Sequence, residues 1–126
     1  MRLLLDTAAF IFAIESPEKL GKRAAAELDK EGNILKLSAI SLSEIAIKVS
    51  LGKLDLPLDI VRESIVDLDL RLLPYTAEHA FQFFSLPLRH RDPFDRQIIA
   101  QAMSEDIPIL SPDREFKLYR GLKVIW

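Results

Sequence analysis

The 126-residue sequence has no cysteine, only two histidines and no long apolar run. The lack of cysteine excludes disulfides, thiolate metal sites and cysteine nucleophiles. Two histidines in different segments disfavour a zinc site built from imidazoles, so a divalent metal is expected to be a hard ion held by oxygens. No apolar run approaches the roughly 20 residues that span a bilayer, and the early Asp6 argues against a signal peptide. A soluble cytoplasmic protein is therefore expected.

An excess of basic charge is also missing, since the formal net charge is −2. Any contact with nucleic acid must therefore come from a local basic patch and not from the overall field. Apolar residues make up 49% of the sequence and charged residues 29%, which is the balance of a globular protein. At this length we expect one domain, residues 1–126, that is long enough to bury a core.

Short apolar runs that suit buried strands alternate with amphipathic stretches that suit helices. The predicted strands cover residues 2–5, 34–37, 69–73, 108–110 and 123–125. The predicted helices cover residues 8–14, 18–30, 41–51, 58–66, 76–84, 93–106 and 114–119. This alternation predicts an α/β fold, a three-layer α/β/α domain with a mostly parallel central sheet of about five strands.

The segment from His90 to Gln97 contains two aspartates, two arginines and a helix start. Pro93 suits the first helical position, because its missing N–H would have no partner there. Asp92 is then the natural N-cap, and Asp95 takes the third helical position. Both aspartates could simply serve the helix end, where the dipole and the free N–H groups favour acidic residues.

Acidic residues from separate segments are predicted to meet at one edge of the sheet. Asp6 directly follows the first strand, and Asp113 follows the fourth. Glu44 and Asp95 stand in first turns of helices that begin at this same edge, where parallel sheets bind ligands. Each acid also has a simpler interpretation as a helix cap, with Glu44 completing a capping box that begins at Ser41.

Carboxylates that lie within a few ångströms of one another repel and raise each other's pKa, so a folded protein gathers them for a reason. Bound Mg²⁺ or Mn²⁺ supplies such a reason, since these ions prefer oxygen ligands and leave room for substrate phosphates. Two ions about 3.5–4 Å apart can activate a water and stabilise the leaving oxygen of a phosphodiester. The acids therefore favour metal-dependent phosphodiester chemistry.

Four segments resemble the motifs of PIN domains, and more narrowly those of the VapC toxins of bacterial and archaeal toxin–antitoxin pairs. The segments are Leu5–Thr7, Ser41–Lys48, His90–Arg96 and Ser111–Asp113, followed by Phe116 and Tyr119. The resemblance runs to the closing Trp126 and implies a Mg²⁺- or Mn²⁺-dependent endoribonuclease. It assigns the acidic roles to Asp6, Glu44, Asp95 and Asp113, with Asp92 beside the site. It also implies a VapB-like antitoxin, a homodimer, and structured RNA such as tRNA or rRNA as substrate.

Basic side chains accompany these acids. Arg91 and Arg96 flank the aspartates of the central segment, and Arg114 follows Asp113. Lys48 stands four residues after Glu44, the favourable order for a helical ion pair. These residues could hold an RNA backbone through non-specific phosphate contacts, or they could only balance the acidic charge.

Two other functions stay open: a non-catalytic PIN-type module that binds protein or RNA, and a phosphohydrolase or phospho-acceptor domain that uses Asp6 or Asp95. The intact acids disfavour the first, and the lack of an activating lysine after a late strand disfavours the second. Elsewhere, the apolar residues Phe10 and Phe12 are predicted to lie in the core, with a partner-binding groove as the alternative. His79 is expected at the surface of its helix.

Overall fold

The fold is built on one all-parallel sheet, seen in a computed structural model that describes all 126 residues. Its strands are β1 (Arg2–Leu5), β2 (Ile34–Ser38), β3 (Leu70–Leu73), β4 (Ile109–Leu110) and β5 (Val124–Ile125). The helices are α1 (Thr7–Glu15), α2 (Lys22–Asp29), α3 (Ala39–Ser50), α4 (Leu58–Asp67), α5 (Ala77–Phe84) and α6 (Pro93–Glu105). Two short 3-10 helices span Pro17–Lys19 and Arg114–Leu118. The predicted α/β architecture is confirmed.

The strand order is β3-β2-β1-β4-β5, so the chain starts at the centre of the sheet. It moves outward through β2 and β3, and then returns to the other side of β1. The carboxyl ends of β1 and β4 therefore flank the point where the strand order reverses. At such a point the connecting loops diverge and leave a crevice in which α/β proteins bind ligands.

Two apolar clusters, one on each face of the sheet, make the three layers. Successive side chains of a strand point to opposite faces, which sends Leu3 and Leu5 into one cluster and Leu4 into the other. The first cluster contains residues of α1, α2, α3 and α4, including the fully buried Phe10. The second contains Ile98, Ile99 and Ala102 of α6. The predicted core position of Phe10 is confirmed, whereas Phe12 is only partly buried and lies beside the Trp126 ring.

The predicted helix over residues 18–30 is wrong in its first third. A 3-10 turn occupies Pro17–Lys19, and α2 begins only at Lys22 with Gly21 as its N-cap. A Cβ built on Gly21 would lie 2.4 Å from the backbone of Trp126. The chain therefore needs glycine at this close approach, and the break in the helix lets the C-terminal residue pack there.

Two further local expectations are corrected. Helix α3 begins at Ala39, because the Ser38 hydroxyl accepts the Ile40 N–H and caps the helix directly at the end of β2. Glu44 therefore lies beyond the first turn and completes no capping box with Ser41. His79 is 1% exposed and not at the surface, since its ring closes a capping box with Thr76.

No helix has both the length and the apolar character to span a membrane.

Candidate metal centre

Asp6 stands at the switch point, directly after β1. It caps α1 by accepting the Ala9 N–H at 2.7 Å, and it is 2% exposed. Burial raises the pKa of Asp6 to about 7, against the lowering effects of hydrogen bonds from Ser111 and Ala9. The negative charges of Glu44 and Asp113 raise this pKa further. Asp6 is therefore both a helix cap and a carboxyl group that resists ionisation near neutral pH.

Glu44 projects from α3 with only 4% of the residue exposed. One carboxylate oxygen, Oε2, accepts a hydrogen bond from Lys48 Nζ at 2.7 Å. The other oxygen, Oε1, is buried and has no hydrogen-bond partner in the protein. A buried carboxylate oxygen without a partner is costly, because desolvation is not offset by any donor. This oxygen therefore does not cap a helix, and it is open to a ligand.

The two aspartates of the central segment have different environments. Asp92 caps α6, since its Oδ1 accepts the N–H groups of Phe94 and Asp95 at 2.9 and 3.0 Å. The carboxylate of Asp95 has no such role, and its Oδ2 lies 3.8 Å from His90 Nε2, beyond hydrogen-bonding distance. Burial raises the pKa of Asp95 to about 8, and the charge of Asp92 adds to the effect.

Asp113 follows β4 and belongs to the same edge. Its Oδ1 caps the second 3-10 helix by accepting the Glu115 N–H at 2.9 Å, and its own N–H donates to the Ser111 hydroxyl at 3.1 Å. The charge of Asp113 also raises the pKa of Asp6 and Asp95. We call Asp6, Glu44, Asp95 and Asp113 the carboxylate pocket, because their charges interact across four separate segments.

The carboxylate pocket has the oxygen donors that a divalent cation prefers, but the ligand atoms that lie within 4.8 Å of one another belong to His90, Asp113 and Glu115, and not to Asp6, Glu44 or Asp95. Two of its carboxyl groups hold protons near neutral pH because burial and mutual repulsion disfavour their charge. A third offers an oxygen that no protein donor contacts. A hard cation such as Mg²⁺ or Mn²⁺ would relieve both features, since it binds carboxylate oxygens and neutralises their repulsion.

Thr7 and Ser41 hold two sides of this pocket together. The Thr7 hydroxyl donates to the Ser41 hydroxyl at 2.9 Å, and both residues are buried. Thr7 follows Asp6 at the start of α1, while Ser41 lies on α3 one turn before Glu44. This bond therefore fixes the spacing of the two helices that carry Asp6 and Glu44.

His90 and Glu115 are neighbours of the pocket; the sequence placed His90 in the same segment as Asp92 and Asp95, but it gave Glu115 no role. The potential ligand atoms of His90, Asp113 and Glu115 lie within 4.8 Å of one another. His90 comes from the loop before α6 and Glu115 from the second 3-10 helix, so no local spacing links them. The aromatic residues Phe116 and Tyr119, which pack on the His90 ring, were the only available signal.

The basic residues fall into three environments. Arg91 and Arg114 are exposed beside the pocket, and Lys48 pairs with Glu44. Arg96, in contrast, is buried, and its guanidinium donates to the carbonyl oxygen of Pro87 at 2.9 Å and to the Tyr119 hydroxyl at 3.1 Å. The expectation that Arg96 contacts RNA is therefore wrong: its donors hold the loop before α6.

Comparison with solved structures supports the fold. VapBC2 from Rickettsia felis, bound to a DNA fragment from its promoter, matches with a TM-score of 0.73 and 20% identity over 98% of this chain and 97% of that chain. DNA-bound VapBC from Salmonella typhimurium matches with a TM-score of 0.70 and 20% identity, over 98% of this chain and 96% of that chain. VapBC-5 from Mycobacterium tuberculosis is a member of the VapBC family of toxin–antitoxin systems. It matches with a TM-score of 0.61 and 19% identity, over 98% of this chain and 97% of that chain.

Among proteins with curated descriptions, no sequence matches the chain. Residues 3–122 match the PIN domain family, which covers every strand except the last. The matched range includes all members of the carboxylate pocket and both 3-10 helices. The chain therefore belongs to the PIN domain family.

Proposed function

We propose that this PIN domain is a Mg²⁺- or Mn²⁺-dependent endoribonuclease and acts as the toxin of a VapBC-type pair. The unpartnered oxygen of Glu44, in a pocket where burial and then neighbouring negative charges raise the pKa of Asp6 and Asp95, is the observation that carries the proposal. Asp6, Glu44, Asp95 and Asp113 would hold the cation, and Asp92 serves as the cap beside them.

When bound, the cation supplies an activated water and charge stabilisation for phosphodiester hydrolysis. The protein orients the ligands: the Ala9 N–H fixes the Asp6 carboxylate, and Lys48 fixes one oxygen of Glu44. Because Asp6 and Asp95 hold protons near neutral pH, cation binding requires that these carboxyl groups release them. Tight binding is therefore expected to depend on pH.

Contact with RNA is assigned to exposed basic side chains at the rim. Arg91 and Arg114 flank the pocket and are free to reach phosphate oxygens. Lys48 is partly exposed and could touch a phosphate while it remains paired with Glu44. Contacts of this kind position a backbone without reading its sequence, which agrees with a substrate such as tRNA or rRNA that is selected by its folded shape.

A VapB-like antitoxin is the proposed partner, because the similar structures include VapBC complexes. An apolar cleft of about 350 Å³ lies between α3 and α4, with Leu42, Val49 and Leu58 in its walls. We assign this cleft to an apolar segment of the antitoxin. Formation of a homodimer remains a further proposal that rests on the family.

Metal-dependent cleavage is the direct test of the nuclease proposal. The purified protein should cleave tRNA or rRNA with Mg²⁺ or Mn²⁺, and chelator should stop the reaction. Asp6→Asn and Asp95→Asn should abolish cleavage, although asparagine keeps the capping ability of residue 6. Asp59→Asn, in the exposed first turn of α4, is the matched control and should cleave like the parent.

Two outcomes would contradict the proposal. Cleavage at the parental rate by either pocket variant would show that the residue is not a ligand. RNA binding without any metal-dependent cleavage, by a folded protein, would favour a non-catalytic module. The toxin role is tested separately: a short neighbouring reading frame, expressed together with this chain, should relieve the growth arrest that the chain causes alone.

A further inference from the structure

Only two buried side-chain polar atoms in the protein lack a hydrogen-bond partner, Glu44 Oε1 and His90 Nε2. The first belongs to the carboxylate pocket. The second is not explained by it, because His90 Nε2 lies 3.8 Å from the nearest pocket oxygen, Asp95 Oδ2. The His90 side chain is 5% exposed, so water does not readily satisfy this nitrogen either. A buried ring nitrogen of this kind requires its own explanation.

Two further carboxylates lie near the His90 ring. The ligand atoms of His90, Asp113 and Glu115 come within 4.8 Å of one another. Ligand atoms around a tetrahedral ion with bonds of roughly 2.0–2.2 Å lie about 3.4 Å apart. Glu115 is exposed and Asp113 partly exposed, so their side chains can close the remaining distance. We call these three residues the histidine group.

We propose that the histidine group is a second cation site, selective for a divalent transition metal of the Zn²⁺ type over Mg²⁺. One imidazole nitrogen and two carboxylate oxygens form a three-ligand set that leaves a coordination position open. Imidazole suits Zn²⁺, whereas Mg²⁺ prefers an all-oxygen shell. From the sequence, a zinc site was not expected, because only two imidazoles are present. That expectation did not consider the two carboxylates that lie beside one of them.

The other ring nitrogen is already held in place. His90 Nδ1 lies 2.8 Å from the Tyr119 hydroxyl, and that hydroxyl oxygen accepts a hydrogen bond from Arg96. With a metal on Nε2, the proton resides on Nδ1 and is donated to Tyr119. Such an outer partner fixes the tautomer and the ring orientation of a metal-bound histidine. Phe116 and Tyr119 pack on the ring and limit its rotation.

The two cation sites share one residue, Asp113, but each also contains residues that the other lacks. The carboxylate pocket rests on Asp6, Glu44 and Asp95, and the histidine group rests on His90 and Glu115. Zn²⁺ binding can therefore be measured on the protein alone, without RNA and without cleavage. A protein with no nuclease activity could still bind Zn²⁺, and an active nuclease could fail to bind it through His90.

The test follows the two histidine rings by ¹⁵N-edited NMR in the presence of saturating Mg²⁺. Added Zn²⁺ should shift the His90 ring signals in a saturable way, while the His79 ring, which is bonded to Thr76 and Glu105, serves as an internal control. The His90→Gln spectrum identifies the signals of each ring. Saturable Zn²⁺ binding that leaves the His90 ring unchanged would overturn the proposal, and so would no binding at all.

Affinity measurements sharpen the assignment. Glu115→Gln, at an exposed position whose replacement should not disturb folding, is expected to weaken Zn²⁺ binding roughly tenfold or more, the scale of losses around metal sites. Glu18→Gln is the matched control, because Glu18 occupies the first turn of the other 3-10 helix. The Mg²⁺-induced rise in melting temperature should persist in Glu115→Gln. Equal Zn²⁺ affinity in the parent, Glu115→Gln and His90→Gln would contradict the proposed site.

Discussion

Two partly buried polar clusters in this protein have opposite characters. The first, which we call the core polar network, contains Ser38, Thr76, His79, Gln101 and Glu105. The Gln101 amide accepts from the Ser38 hydroxyl and donates to the Pro74 carbonyl. The His79 ring receives the Thr76 N–H at 3.0 Å and lies 3.2 Å from Glu105 Oε2. None of its buried side-chain atoms lacks a partner.

The second cluster is the carboxylate pocket with its neighbour His90. It contains both of the buried unpartnered atoms, and burial together with the neighbouring acidic charges raises the pKa of Asp6 and Asp95. Both clusters are linked through α6, since Gln101 and Asp95 lie on that helix. Helix α6 therefore contributes to both clusters. Its C-terminal half belongs to the network whose buried polar atoms all have hydrogen-bond partners, and its first turn belongs to the cluster that contains unpartnered atoms.

The comparison distinguishes polar residues that stabilise the fold from polar residues that are proposed to bind a ligand. A satisfied network adds to stability and specifies the packing of α6 on the sheet. A crowded set of acids opposes folding, and the cation that we propose for the pocket would offset that cost. The predictions below test this distinction, starting with the largest expected effect.

The strongest test compares two aspartates three residues apart, the N-cap of α6 and a residue of its first turn. Asp92→Ser should keep most of the nuclease activity, because serine also caps a helix well. Asp95→Ser should lose it, because a neutral hydroxyl is a poor substitute for a metal-binding carboxylate. Initial rates of RNA cleavage at saturating Mg²⁺ measure the effect, with thermal melts to show that both variants fold. Equal activity losses in two equally stable variants would end this division of roles.

The core polar network should respond to mutation in stability. Gln101→Leu leaves the buried Ser38 hydroxyl and the Pro74 carbonyl without their partner, and should lower the free energy of unfolding by about 1–3 kcal/mol. Gln97→Leu is the control on the same helix, because its amide bonds only to the Pro93 carbonyl one turn earlier. It should change the free energy by less than about 0.5 kcal/mol. Urea titrations of both variants provide the measurement, and equal losses would show that the network adds nothing.

The fold and the members of the carboxylate pocket were predictable from local patterns. Short apolar runs that end in Asp6 or just before Asp113 identify strands and their carboxyl edge, and Pro93 identifies the start of α6. These signals are local, since strand burial, proline geometry and capping depend on neighbouring residues. The parallel sheet then brings the edge residues together without any detail of side-chain packing.

Contacts between distant segments were not predictable in this way. The break at Gly21 exists because Trp126 packs there from the far end of the chain. Arg96 was expected to face RNA, but its guanidinium is turned inward by Tyr119 and by the carbonyl oxygens of the preceding loop. The proximity of His90 to Glu115 arises likewise from tertiary packing. Each of these contacts depends on which surfaces of the folded chain meet, and the spacing of residues in the sequence does not determine this.

Removal of one charge from the pocket should stabilise the protein when no metal is present. In chelator, Asp95→Asn should raise the free energy of unfolding by about 0.5–2 kcal/mol, because it relieves burial and repulsion of a carboxylate that caps no helix. Mg²⁺ should stabilise the parent by mass action and the variant much less. Thermal melts in chelator and at several Mg²⁺ concentrations test both statements. A variant that melts lower in chelator, with the parental response to Mg²⁺, would mean that Asp95 serves the helix and binds no cation.

The smallest effect is the pH dependence of that stabilisation. Asp95 has a pKa of about 8 in the folded protein against 3.8 as its ordinary value, so the folded state holds a proton that the unfolded state has released. Stability of the parent in chelator therefore falls as the pH rises from about 4 to about 8. Asp95→Asn lacks this titration, so its advantage over the parent should grow across that range and level off above it. Asp6, whose pKa is about 7, titrates in both proteins, and its charge also raises the pKa of Asp95, so the difference between the proteins includes this coupling. Melts of the parent and the variant in chelator at pH 5, 6, 7, 8 and 9 measure this difference, and a difference that shrinks with rising pH would show that the pocket does not disfavour the charge of Asp95.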